Sequence, residues 1–419
     1  MDHNAIYRKV TISQLQELAP FINWRHYFNS AFKKVGREIY SSQAVVLLSL
    51  PYIQKLSDVV SQYLSQPQGR VTIVNYLGWK LVKSKIKLLS TSFREAGDVL
   101  VKAMMGSVEE EIRWKTCIGA VDSNIGFALS SMFVRESFKG DSKTLAENMI
   151  DEIKAAFKAN FPNVDWMDPE TRKLTVDKVD AMMDMVGFPE YIAYPDQLDE
   201  EYAGLDFNET EYFENHLNQL HFDRVKNMKK FGLPTNRTEW LFTASTINAY
   251  YAPTSNLIVF PAGILQPPFY DSTFPKSINF GSIGVFMGHE LTHAFDDTGR
   301  LYDKFGNLHQ WWKDSTIKNF QQRSQCFVEQ YSNYEAQGLN VNGVLTLGEN
   351  IADNGGLKAS FRAYQSWIAK NHKELPLPGL NLSTNQLFFV GFAQTWCSVN
   401  TPEMERFAIL TDEHSPNKY

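Results

Sequence analysis

The sequence predicts a mainly α-helical protein with a small β-hairpin beside a histidine-bearing helix, and three observations carry that reading. Apolar residues recur at helical spacing through much of the first half. In "DSKTLAENMIDEIKAAFKANF", for example, Leu145, Met149, Ile153, Ala156 and Phe157 share one face. One stretch, "INAYYAPTSNLIVFPAGIL" at 247–265, breaks this pattern. Its two apolar or β-branched runs flank Pro253-Thr254-Ser255-Asn256, as in a hairpin with a four-residue turn. Helical spacing then returns in "FMGHELTHAFDDTG", 286–299, which carries two histidines four positions apart.

Taken in order, "TISQLQEL" opens a helix, with Thr11 and Gln14 at capping-box spacing. "AVVLLSL" at 44–50 reads as a short buried helix. In "DPETRKLTVDKVDAMMDMVGFP" Asp168 is the N-cap and Pro169 the first helical residue, and Gly187 with Pro189 closes the helix. These stripes read as plain core and carry no chemistry. From 188 to 246 the chain is irregular, rich in Tyr, Asp, Glu and Asn, with helical pieces between. After the hairpin, "QPPFYDSTFPKSINFGSIG" is a Pro- and Gly-punctuated loop leading to the histidine helix. The sequence shows no internal repeat and no low-complexity tract.

The 419 residues, 43% hydrophobic and 21% charged, describe a globular chain long enough for two or three domains. A net charge of −6 argues against a nucleic-acid partner, which calls for a basic face. No stretch reads as the roughly 18–20 apolar residues that span a bilayer, and the start, "MDHNAIYRKV", lacks the apolar core of a signal peptide. Three cysteines, Cys117, Cys326 and Cys397, leave at least one unpaired within the chain. Three sequons, at Asn208, Asn236 and Asn381, point to an extracellular setting.

On a helix, His289 and His293 present ring nitrogens to one ion. Glu290, next round the helix, is placed to serve a water at that ion rather than the ion itself. This is the H-E-x-x-H pattern, and it needs a third ligand. "LTLGENIADNGGLKASFRAYQSW" at 345–367 offers Glu349, with Asp353 one turn on to accept a hydrogen bond from a ligand histidine. An acidic first turn favoured by the helix dipole is the plainer explanation of these two residues; two i,i+4 sets in one chain tip the balance. A third histidine ten residues after the first is excluded, because Gly299 stands there and Asp296 replaces the intervening glycine.

"NAYY", "VFPAGILQPPFY", "GHELTHAFDDTGRLYDKFGNLHQWW", "QCFVEQY", "LGENIADNGGL", "LPGL", "FFVGFAQTWC" and "DEHSP" occur in one order between 248 and 416. In these stretches the chain closely resembles the neprilysin and endothelin-converting enzyme metallopeptidases. Weaker similarity, including "EYFEN" and "DWMDPETRK", covers most of the rest. The resemblance implies a thermolysin-like catalytic core plus part of a helical covering domain. Residues 1–190 would be the C-terminal part of the family's helical N-terminal region, 191–246 a connecting segment, and 247–419 the catalytic domain without its C-terminal end.

It further implies one Zn2+ per chain held by His289, His293 and Glu349, with Glu290 as general base and Asp353 steadying the ligands. His414 would stabilise the oxyanion. Asn248 and Ala249 match the edge that hydrogen-bonds the substrate backbone, and Ile264, Phe269, Phe286 and Trp396 match the apolar pocket for the residue after the scissile bond. The implied substrates are short peptides, cut on the amino side of apolar residues. The implied setting is the extracellular face of the plasma membrane or the secreted fraction, with a membrane-anchored parent and room for a homodimer.

The family pattern continues past both ends of this chain, with a tail, an anchor and early ectodomain before it and a substrate-binding arginine after Tyr419. Each cysteine matches a position whose disulfide partner lies in those parts, so no internal disulfide is expected. Zinc binding with impaired turnover is expected of the 419 residues alone. The rival expectation is a zinc-bearing ectodomain that binds peptides without cutting them, against which the intact Glu290 argues.

Overall fold

A computed structural model describes residues 8–107, 112–372 and 374–419, so the first seven residues of the "MDHNAIYRKV" start lie outside the described residues. Helices dominate, with small sheets between them. Two compact units form without following chain order: Met1–Ala103 with Gly204–Thr235, and Met104–Ala203 with Asn236–Tyr419.

In the first unit β1 (Arg8–Thr11) and β2 (Ala44–Leu47) pair antiparallel, with Arg8 opposite Leu47 and Thr11 opposite Ala44. Thr11 also closes the expected capping box with Gln14 at the start of the helix Ile12–Leu18. Val10, Leu15, Ala19 and Leu47 form a small core there. The buried helix expected over 44–50 is therefore corrected: Ala44–Leu47 is a strand, and the next helix begins only at Leu50 after Ser49 caps it. Two adjacent valines, Val45 and Val46, favour a pleated strand once their partners Val10 and Lys9, far upstream in the chain, are available.

In the second unit α1 (Ser142–Asn160) buries Ala146, Met149, Ile150, Ile153 and Ala156, the face read from its periodicity. The next helix, α2 (Pro169–Asp180), is capped by Asp168, which accepts from the backbone N–H of Glu170 and of Thr171, both at 3.0 Å. The Thr171 and Thr316 hydroxyls add bonds of 2.5 and 2.6 Å. The helix stops at Asp180, not at Gly187 as expected. Met183–Gly187 is strand β3, whose backbone runs parallel to β5 (Leu257–Pro261) with Met183 opposite Leu257. The ladder offered by a fully buried strand outweighs the helical spacing of the methionines.

Burial alone would raise the Asp168 carboxyl, but its four hydrogen bonds hold it well below its ordinary value of 3.8. A depressed folded-state pKa contributes stability that is present above the unfolded value and lost as pH falls through the folded one. Asp168→Ala is expected to cost about 0.5–2 kcal/mol at pH 7. The gap in melting temperature between variant and wild type should narrow at pH 3; a gap that widens on acidification would contradict this account of the cap.

β4 (Tyr250–Ala252) and β5 form the expected hairpin, Tyr250 opposite Val259 and Ala252 opposite Leu257. Asn256 closes the turn in the left-handed region at φ 47°. The sheet order β3-β5-β4 leaves β4 on the outside. β4 lies against α3 (Ile283–His293), and Ile258 and Phe260 of β5 share a core cluster with Ile283, Val285, Met287 and Leu291 of that helix. α3 in turn crosses α4 (Leu347–Asn371) at a glycine contact. A Cβ on Gly288 would sit 2.7 Å from the Gly356 carbonyl oxygen, and one on Gly356 would sit 2.6 Å from the backbone nitrogen of His289.

Among the described residues one helix, Arg113–Ser137, is long and apolar enough by length and composition to cross a membrane, which corrects the expectation that no stretch is. Non-helical dihedrals at Ile125 break it into two pieces. Its polar residues serve the second unit: Asp122 accepts from Ser245 Oγ at 2.8 Å, and Ser130 Oγ accepts from the Ala244 N–H at 2.9 Å. Cys117, Cys326 and Cys397 are exposed and unpaired, and the sequon asparagines Asn208, Asn236 and Asn381 are exposed.

Candidate active site

The close α3–α4 crossing brings together side chains separated by 60 positions in the sequence. His289 and His293 lie on one face of α3, and Glu349 projects from the first turn of α4. Nδ1 of His289 is 2.8 Å from Asp353 Oδ1, and Nδ1 of His293 is 2.6 Å from Asp296 Oδ2. Each carboxylate therefore fixes a proton on Nδ1 and turns Nε2 inward. The two Nε2 atoms face each other at 2.9 Å, and Glu349 Oε2 lies 3.2 Å from one and 3.3 Å from the other.

Two ring nitrogens and one carboxylate oxygen thus converge on one point. Glu349 Oε2 is buried there without an aligned hydrogen bond, although three imidazoles surround it. Without a metal, such a cluster is neutralised only by extra protons on the imidazoles. Burial pulls His289 down, but Asp353 and Glu349 outweigh it and lift it to about 9. His293 is likewise raised, Asp296 and Glu349 overcoming the cost of burial. Burial would raise Glu349, yet the imidazoles hold it far below the ordinary carboxylate range. Ligands about 2.0–2.1 Å from a tetrahedral zinc ion stand roughly 3.3 Å apart, so these separations and this N, N, O donor set fit zinc.

Glu290 is buried, and its carboxylate lies within 4.8 Å of the ligand nitrogens of His289 and His293. Burial raises its pKa, against the pull of the two histidines. His414 is half-exposed, with its ring stacked on His289 at 6.4 Å and its Nε2 3.2 Å from Glu349 Oε2. Glu349, against the cost of burial and helped by Asp412, lifts His414 to about 9.

The expected peptide-contacting residues fall on two sides of this centre. Asn248 and Ala249 immediately precede the outer strand β4. Asn248 is exposed, and its side-chain oxygen takes the Ala249 N–H at 2.8 Å. Phe286, one turn before His289, makes an edge contact with Phe269 at 5.6 Å and stacks on Trp396 at 5.1 Å. These three part-buried rings form a continuous apolar row, whereas Ile264 is buried in the core cluster that Phe269 and Phe286 pack against.

Asp296 is a residue that sequence reasoning noted only for standing where a glycine would be. Its other oxygen accepts from the N–H of Thr298 at 2.8 Å and of Gly299 at 2.5 Å, which locks it against His293. The signal was the Asp-x-Thr-Gly turn at 296–299, whose leading Asp bonds its own backbone two and three residues on.

Two sequence models of one family, described as peptidase family M13, match residues 248–419 and residues 1–189. The chain belongs to peptidase family M13. Among M13 relatives, it is 49% identical over 418 residues to an endothelin-converting enzyme homolog of Locusta migratoria, covering 100% of this chain and 58% of that protein. It is 46% identical over 419 residues to endothelin-converting enzyme 1 of Homo sapiens, covering 100% of this chain and 54% of the relative. Among solved structures it resembles the zinc metalloprotease ZMP1 of Mycobacterium tuberculosis in complex with an inhibitor. There the TM-score is 0.87 at 27% identity, covering 100% of this chain and 61% of that one. The chain spans about half the length of the curated M13 relatives it matches.

Proposed function

We propose that this chain carries the active site of a zinc-dependent endopeptidase that hydrolyses short peptides on the amino side of apolar residues. The observation that carries the reading is the convergence of His289 Nε2, His293 Nε2 and Glu349 Oε2 on one point, with the buried Glu290 carboxylate beside them. One zinc ion held by those three residues would supply a Lewis acid that polarises a peptide carbonyl and makes a water acidic.

The chain's own residues do the rest. Glu290 takes the proton of the attacking water and hands it to the departing amine. Asp353 and Asp296 hold the two imidazoles in the tautomer that leaves Nε2 free. His414 Nε2 donates to the carbonyl oxygen as it gains charge. The segment at Asn248 and Ala249 binds an extended peptide, the Ala249 N–H becoming available when the Asn248 side chain turns to the substrate. Phe269, Phe286 and Trp396, backed by Ile264, receive the apolar residue after the scissile bond.

Within this reading residues 247–419 supply the catalytic groups, and residues 104–203 pack in the same compact unit as those groups. The site works on the extracellular face of the plasma membrane or in the secreted fraction, a setting that the three exposed sequon asparagines suit. Two quenched-fluorescent peptides, with Phe or Asp after the scissile bond, test it. Chelator-sensitive cleavage favouring Phe by roughly 10-fold or more is expected. Equal rates on both peptides would overturn the pocket assignment, and binding without cleavage would favour the non-cutting ectodomain.

A further inference from the structure

Lys178 of α2 is fully buried, and the chemistry described so far makes no use of it. Its ammonium donates to three backbone carbonyls: Ala294 at 2.8 Å, Gly299 at 2.8 Å and Tyr302 at 2.6 Å. Three acceptors call for three N–H donors. A neutral amine would turn a lone pair against one of the carbonyls, so the arrangement requires the charged form. The rings of Tyr251, Phe295 and Trp311 surround it, with centroids 5.4–5.8 Å from Nζ. Burial lowers its pKa to about 7, against the pull of Asp296 and Asp303.

The carbonyls it holds are not scattered. Ala294 is the C-cap of α3, the residue directly after His293, so the ammonium closes the negative end of the histidine helix. Gly299 and Tyr302 bracket the turn that follows Asp296, whose carboxylate grips His293 Nδ1. The backbone carbonyl of Lys178 accepts from Asn256 Nδ2 at 3.0 Å, fastening the hairpin turn at the same place. One residue thus ties the end of the histidine helix, the Asp296 turn and the β4–β5 hairpin together.

We propose that Lys178 is a positioning residue of the metal centre: its ammonium clamps the 294–302 turn so that Asp296 stays against His293 and His293 stays aimed at the ion. The inference rests on His289, His293 and Glu349 forming a zinc site. Lys178→Met keeps the buried stem and removes the three donors. The misplaced histidine should weaken zinc binding by about 10–100-fold, as loss of a group supporting a ligand does. It should also change the visible absorption of cobalt bound in place of zinc.

Thr175→Ala is the control. Thr175 is equally buried on α2, but its hydroxyl bonds the carbonyl of Thr171 within that helix. It should lower the melting temperature while leaving zinc affinity and the cobalt spectrum as in wild type. If Lys178→Met does not fold, Lys178→Gln, which keeps two donors, decides, with a smaller loss of zinc affinity and the same spectral change expected. A Lys178 variant that matches the control in zinc affinity and cobalt spectrum overturns the proposal while leaving the zinc site intact. A wild-type chain that binds no zinc overturns the zinc reading itself.

Discussion

Glu290→Gln is expected to abolish measurable peptide hydrolysis while the chain still binds one zinc ion. The substitution keeps the size of the side chain and an acceptor oxygen but removes the group that can take a proton. General-base catalysis contributes about 10²–10⁴-fold, which sets the least loss expected. Glu290 lies beside the ligand nitrogens and is not the oxygen that converges with them; that oxygen belongs to Glu349. Zinc affinity should therefore stay close to wild type. The direction of the pH effect also follows. Burial, opposed by the two histidines, raises the Glu290 pKa, and the working form is the carboxylate. Turnover should fall as pH drops through that raised value, and the acid limb should disappear from whatever residual activity the variant retains. A variant that loses its zinc would show that Glu290 is a ligand.

Gly356→Ala should disable the site without touching any ligand. The new methyl carbon would lie 2.6 Å from His289 N, 2.7 Å from Val285 O and 3.0 Å from His289 Cα, all atoms of the α3 backbone. A flexible side chain can yield; a helix backbone can yield only by moving as a whole. α3 and α4 must separate, and Glu349, two turns along α4, moves away from the imidazoles. Overpacking of this kind costs about 1–3 kcal/mol in stability. Lost convergence should weaken zinc binding by at least 10-fold, the lower end of what disturbing a ligand's support costs. Thermal melts and zinc titrations of the same preparation check both effects. Wild-type zinc affinity would mean that the glycine crossing does not set the ligand geometry.

The features legible in the sequence are those whose cause is local. The α1 stripe, the Thr11–Gln14 capping box and the Asp168 cap followed from spacing within one helix turn or two. The hairpin around 253–256 followed from two runs and a turn. The three residues proposed as ligands were found because each pair, 289 with 293 and 349 with 353, announces itself at i,i+4 on one helix.

The misreadings share a different cause. Ala44–Leu47 and Met183–Gly187 are strands because of partners far along the chain, which no local window contains. α2 hides Thr171, Thr175 and Lys178 on its buried face, so its polar residues pointed away from the burial they undergo. Lys178 and Gly356 matter through backbone atoms of other elements, and backbone atoms leave no mark on residue type. Asp296 was nearer to legible, since its turn was visible, but its hold on His293 was not.

The most direct test of the central claim is a calorimetric titration of zinc into the metal-free chain at pH 7.5, run in two buffers of different ionisation heat. The imidazoles of the metal-free site are held protonated by their carboxylates, His289 up to about 9, and must shed those protons to bind a cation. The account predicts one zinc per chain, a net release of protons, and an affinity that weakens as pH falls. No binding, or binding that releases no protons and survives Glu349→Ala, would contradict it.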